Sequence, residues 1–149
     1  MRGDFYPVRG QLTVVEKDVK AGASESIKAG EPVIVDSGNA GYVKAPGANV
    51  TSSDVVVGFA LSNSTDTASA DGTVAVAIVS AGNLFRGKAK TKSSLAQAKK
   101  GTKVVLDYTS STYTVDESTT TAGLALIVDY NSTTGDVDFQ IDLSTIPNA

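Results

Sequence analysis

One segment of this chain returns later in altered form. Lys28-Ala29-Gly30-Glu31-Pro32-Val33-Ile34-Val35-Asp36 lines up with Lys99-Lys100-Gly101-Thr102-Lys103-Val104-Val105-Leu106-Asp107, and at the same offset Tyr42 falls on Tyr113. Further on, Gly58-Phe59-Ala60-Leu61 matches Gly123-Leu124-Ala125-Leu126, and Gly72-Thr73-Val74-Ala75-Val76 matches Gly135-Asp136-Val137-Asp138-Phe139. The offset shrinks along the chain, so the second copy has shorter loops. A repeat of this kind means one β-unit used twice, each copy covering the other's apolar face. It points to a structural or binding module and away from a catalytic cleft.

The rest of the pattern agrees with β-structure. Short apolar runs alternate with Gly, Asn and Asp turns at about ten-residue spacing, which predicts an all-β barrel or sandwich. Strands are expected at Gln11 to Lys17, Glu31 to Asp36, Tyr42 to Lys44, Val55 to Leu61, Gly72 to Ser80 and Leu84 to Lys92. A second set follows at Lys103 to Tyr108, Thr112 to Val115, Ala122 to Tyr130 and Val137 to Leu143, with Ile146-Pro147 closing the fold. Val55 to Leu61 is apolar almost throughout, the pattern of a strand buried on both faces. The one helix expected is short and lies near 93–100, with Ser ahead of it, Lys in its last turn and Gly101 after it.

At 149 residues the chain suits a single β-rich domain. We place that domain at 11–149, with its two similar units at about 27–80 and 98–143. Residues 1–10 read as an extended arm, because Pro7 bars a helix and biases Tyr6 toward extended geometry. Phe5, Tyr6, Pro7 and Val8 give this arm apolar content that it cannot bury alone. It is either a frayed terminus or an arm that docks on a neighbouring subunit by strand addition.

Cys and His are both absent. That removes disulfides, thiolate chemistry, the commonest general base and the commonest metal ligand. No phosphate-binding Gly loop opens a helix, and no nucleophile has a base near it in sequence. We therefore expect no enzyme, no cofactor and no metal site. Asp-rich turns at Asp66 and Asp71, or Asp136 and Asp138, lack the loop spacing of an EF-hand and read as turn caps. Arg2-Gly3-Asp4 spells an adhesion tripeptide, and Asn49, Asn63 and Asn131 head glycosylation triplets. The tripeptide is a weak three-residue match, and the triplets arise by accident in a chain this rich in Ser and Thr. No apolar run reaches the length of a membrane span, and the N-terminus lacks the apolar core of a signal peptide.

The net charge of −3 argues against nucleic acid as a partner. Its distribution is uneven. Arg86, Lys88, Lys90 and Lys92 recur at period 2, so a strand there would gather four cations on one face. After Lys103 the chain has no further basic residue, while Asp107, Asp116, Glu117, Asp129, Asp136, Asp138 and Asp142 all follow. The stripe is either an edge strand protected from aggregation by its charge, or a contact surface for an acidic partner.

The succession Ala29-Gly30-Glu31-Pro32-Val33-Ile34-Val35-Asp36, Val57-Gly58-Phe59-Ala60-Leu61 and Asp71-Gly72-Thr73-Val74-Ala75-Val76 resembles the capsid decoration, or cement, proteins of tailed bacteriophages. The resemblance covers about Ile27 to Leu143. It implies a small, non-enzymatic β-protein, commonly a homotrimer, on the capsid exterior. Such a protein is made in the host cytoplasm and bridges neighbouring major capsid proteins. It also implies that an N-terminal arm, here Phe5, Tyr6, Pro7 and Val8, pairs with capsid strands. Other readings are a tail- or fibre-associated virion module and a secreted carbohydrate-binding β-sandwich, the latter disfavoured by sparse aromatics.

Overall fold

Unpaired strand edges and half-apolar strands force this chain to curl its sheets until their inner faces meet. The computed structural model describes residues 4–142, and among them eleven strands form two sheets. After β1 (Tyr6–Arg9), five strands make the first unit: β2 (Val14–Val19), β3 (Pro32–Val35), β4 (Val43–Lys44), β5 (Val56–Ala60) and β6 (Gly72–Ile78). Five more make the second: β7 (Leu84–Lys88), β8 (Lys103–Thr109), β9 (Thr112–Asp116), β10 (Ala125–Asn131) and β11 (Asp136–Ile141).

The first unit is a closed barrel in the order β2-β4-β3-β5-β6. The second sheet runs β1-β7-β11-β10-β8-β9. With β1 set aside, the two units have the same strand order and the same strand senses. The parallel contact of β2 with β4, Val19 beside Val43, has its counterpart in a parallel bridge between Ala89 and Val115 that brings the end of β7 to β9. The chain therefore holds two tandem, similar β-units.

The ladders show which residues correspond. Gly30 and Gly101 both have positive φ (89° and 83°), where glycine avoids the Cβ strain of other residues. Gly30 N–H donates to the Ala60 carbonyl and Gly101 N–H to the Ile127 carbonyl, each at 2.8 Å. Ala60 is thus equivalent to Ile127, two residues beyond the Ala125 chosen by sequence matching. Cross-strand rows agree: Pro32–Phe59–Ala77 in the first unit becomes Lys103–Leu126–Gln140 in the second. The pair Val15–Val76 becomes Phe85–Phe139. Tyr42 and Tyr113 are also not equivalent. Val35 pairs with Val43 and Leu106 with Val115, so Tyr42 corresponds to Thr114.

Two apolar clusters fill the molecule. Val19, Ile27, Val33, Val43, Ala60, Val74 and Val76 pack inside the first barrel. A larger cluster joins the interior of the second unit to the outer face of the first, including Ile34, Val56, Phe59 and Ala77. This is why Val56 to Ala60 is so apolar: its two faces serve two different cores. Phe59 reaches into the second unit, with its ring centroid 4.6 Å from Phe85 and 5.8 Å from Phe139.

One end of the first barrel is tied by Asp66, which is 1% exposed. Its carboxylate accepts from the Ser26 N–H (3.0 Å), the Ser64 hydroxyl (2.5 Å) and the Ser26 hydroxyl. Burial pushes its pKa up, but the hydrogen bonds from Ser26 and Ser64 outweigh this and hold it below the ordinary value.

The helical segment expected at 93–100 is two single 3-10 turns, Lys92–Ser94 and Gln97–Lys99. Leu95 and Ala96 between them are extended, and Leu95 is drawn into the core. A helix this short has too few hydrogen bonds to outweigh the anchoring of one apolar side chain. The strand expected at Gln11 to Lys17 starts three residues later and ends two later, because β2 pairs with β6 along its whole length from Val14 to Val19. Residues 1–3 and 143–149, including Arg2, Gly3, Leu143, Ile146 and Pro147 of the sequence reading, lie outside the described residues.

Candidate interaction surface

The N-terminal segment is extended, as expected, but it lies on its own chain. β1 pairs antiparallel with β7, Tyr6 opposite Arg86 and Pro7 opposite Phe85. Phe5, just ahead of it, is 1% exposed. Its ring makes edge contacts with Phe59 (5.3 Å) and Phe139 (5.5 Å) and a tilted contact with Tyr113 (6.4 Å). Gly87 lies directly beneath: a Cβ there would overlap the Phe5 ring. Phe5 N–H donates to the Gly30 carbonyl at 3.0 Å, and Asp4 accepts from the Tyr113 N–H at 2.8 Å. The segment thus fills the gap between β7 and β9. The docking role expected for Phe5 is not available in this structure, because a fully buried ring cannot meet a partner. Tyr6 and Pro7 are half-buried, and Val8 is exposed.

The basic stripe is also occupied from within. On β7, Arg86 stands opposite Asp138 and Lys88 opposite Asp136 of β11. Arg86 binds Asp138 at 2.6 and 3.0 Å, and Lys88 meets Asp136 at 2.7 Å. Asp138 foremost, with a further bond to Tyr6, raises the guanidinium above its ordinary pKa. The hydrogen bond from Lys88 is the main cause holding the Asp136 carboxyl below its usual range.

Lys90 and Lys92 leave this strand. β7 ends at Lys88, Ala89 bridges Val115 and the chain bends at Lys90 and Thr91, so the four cations do not lie on one continuous strand. Lys90 sits 3.0 Å from Asp107 and 3.7 Å from Asp116, and Asp107 is the main cause of its raised pKa. Lys92 donates to the Thr133 carbonyl at 3.2 Å. The acidic C-terminal half therefore supplies the counter-charges for the basic stretch. These contacts span long sequence separations, which charge counting along the chain cannot reveal.

Beside this cluster, Glu117 is 1% exposed. Its Oε1 accepts from the Thr91 N–H at 2.8 Å, fixing the turn after β7, while Oε2 has no partner among the described residues. Among the described residues no group of acidic side chains is placed to hold a metal ion, and no helix is long and apolar enough to cross a membrane.

The mouth of the first barrel is open. Thr13, Val15 and Lys17 of the β2 side, Val55 to Val57, and Ile78 and Val79 line an apolar groove of about 350 Å³. Val15 stands in register with Val76 and Lys17 with Val74, both interior residues, so this groove continues the barrel's inner face. Sequence reasoning missed it. The available signal was the doublet Val14-Val15, apolar on both faces of a strand flanked by charge. No family model, curated protein or solved structure matches this chain.

Proposed function

We propose that the chain is a structural virion protein that binds the outer surface of a bacteriophage capsid and stabilises it by bridging neighbouring major capsid proteins. The observation that carries this reading is the tandem pair of small β-units joined through a shared aromatic core. Side chains fill both interiors, and Phe59 of one unit is locked against Phe85 and Phe139 of the other. Such a body transmits load between two contact points without changing shape. The Gly-led and Val-rich rhythm shared with decoration proteins supports the same reading. Many weak copies on a symmetric shell then add strength through multivalency. A homotrimer is part of the proposal, since closed rings match three-fold positions.

The test is particle stability. Capsids stripped of the protein and capsids with it restored are challenged by heat and by EDTA. Restored particles are expected to survive conditions that open the stripped ones. Equal survival of both would overturn the stabilising role, and light scattering of the free protein checks the trimer.

A further inference from the structure

The two units are closed differently. In the second, Phe5 lies over Gly87 and β1 pairs along the flank of β7. In the first, β2 meets β4 only at Val19, so among the described residues no strand lies beside its Val14 to Asp18 flank. The groove next to that flank is apolar, and Val15 on its wall is 37% exposed. Lys17 stands where the second unit has Gly87, and its stem takes the room a ring would need. The groove therefore admits a branched aliphatic side chain and not a copy of Phe5.

The course of the chain brings such a side chain to it. β6 and β11 end alike: Val79 N–H donates to the Val57 carbonyl at 3.1 Å, and Asp142 N–H to the Leu124 carbonyl at 2.7 Å. Val79 lines the groove. Asp142 lines a cleft of about 360 Å³, shared with Leu126, Ile141 and the inter-unit connection Ser80 to Gly82. The same connection lines a further cavity with Gly10, Gln11 and Thr13, and Thr13 also lines the groove. A continuous furrow thus runs from Asp142 to the barrel mouth. It is short, because Ser80 of the cleft is bonded directly to Val79 of the groove.

Seven residues follow Asp142 in the sequence: Leu143-Ser144-Thr145-Ile146-Pro147-Asn148-Ala149. Extended, they span about 23–25 Å. None has a charged side chain, which suits an apolar floor. Pro147 biases Ile146 toward extended geometry, the form needed beside an open strand edge. Leu143 and Ile146 then stand about 10 Å apart.

We propose that the segment following Asp142 covers the mouth of its own chain's first barrel. Leu143 enters the cleft beside Leu126 and Ile141, and Ile146 enters the groove between Val15, Val57 and Ile78. Each end of the described chain then leads to the closure of the unit built from the opposite half: β1 closes the second, and the segment after β11 closes the first. So short a tether holds the segment at an effective concentration of order millimolar, so weak contacts suffice, an advantage a separate molecule lacks. The inference goes beyond the proposed function and does not depend on it: it concerns a single chain in solution, whereas the particle challenge concerns attachment to a shell.

The chain has no cysteine, so a cross-link can be introduced without competing thiols. In the full chain, Val15→Cys combined with Ile146→Cys is expected to give a monomeric disulfide on mild oxidation, at least tenfold faster than Val14→Cys combined with Ile146→Cys. Val14 is 51% exposed but points to the opposite face of β2. In the unsubstituted, ¹³C-labelled chain, methyl NOEs are expected from Ile146 to Val15 and Val57. Ile146→Asp should shift the amides of Val15, Val57 and Ile78. These spectra keep the test open if a cysteine variant does not fold. Equal rates for the two cysteine pairs would overturn the proposal, because a loose segment reaches both positions. So would a disulfide-linked dimer, which would make a second copy the occupant, or the absence of NOEs from Ile146 to the groove.

Discussion

Arg86 on β7 and Asp138 on β11 face each other in register, and the guanidinium grips the carboxylate through two hydrogen bonds of 2.6 and 3.0 Å. Lys88 and Asp136 repeat the pairing two residues away. Ion pairs at a surface contribute little singly, but a bidentate, cross-strand pair in a short ladder sits at the upper end of that range. A double-mutant cycle of Arg86→Ala and Asp138→Ala is expected to give a coupling of about 1 kcal/mol. Half-molar salt should reduce it. A coupling indistinguishable from zero in low salt would mean that the ladder sets register without adding stability.

Phe5 and Gly87 make a second linked pair. Phe5→Ala removes a buried ring that contacts three others and is expected to cost about 3–5 kcal/mol in chemical denaturation. Gly87→Ala should cost about 1–3 kcal/mol because its methyl group meets the ring. In the Phe5→Ala background the Gly87→Ala cost should largely vanish. If the two penalties simply add, the ring does not rest on Gly87.

Acid sensitivity follows from the carboxylates. Asp36, Asp66, Asp71, Asp129 and Asp136 are all held below the ordinary value of 3.8. A group depressed in the folded state contributes stability above its unfolded pKa and loses it as pH falls through the folded value. Glu31, raised chiefly by burial, works in the opposite sense. The melting temperature should therefore be flat from neutral pH to about 5 and fall steeply below about 4. Asp66→Asn should cost about 1–3 kcal/mol at pH 7, and less as pH falls through the lowered folded pKa of the wild-type carboxyl. A pH-independent cost would assign the effect to shape instead of charge.

Glu117 separates charge from hydrogen bonding. Glu117→Gln keeps an acceptor for the Thr91 N–H and removes a buried charge, so its melting temperature should match or exceed wild type. Glu117→Ala strands that N–H and should lose about 1–3 kcal/mol. If Gln proves as harmful as Ala, the bare Oε2 matters after all.

The sequence revealed the class of the fold and its duplication because both are written in local pattern. Gly30 and Gly101 mark the same turn, and the runs that follow them become β3 and β8. Finer equivalence was hidden. Sliding β10 by two residues against β5 keeps every side chain on its face, so Ala125 and Ile127 compete equally for the place of Ala60. The aromatic match of Tyr42 with Tyr113 failed by one residue for want of any constraint on the short loop before β4. The four cations looked like a free surface since Asp136 and Asp138 lie some fifty residues beyond them. The place of Phe5 was illegible for the same reason: its partners Phe59, Tyr113 and Phe139 are set by tertiary closure alone.

That closure has a bearing on how the molecule assembles during synthesis. β1 leaves the ribosome well before β7, β9 and β11, which bound the slot it fills. The first barrel has every strand it needs once β6 has emerged, whereas the second sheet waits for β1 to meet β7 to β11. High contact order of this sort slows folding. β1 must therefore wait for its seat, with the Phe5 ring still wet until β11 brings Phe139.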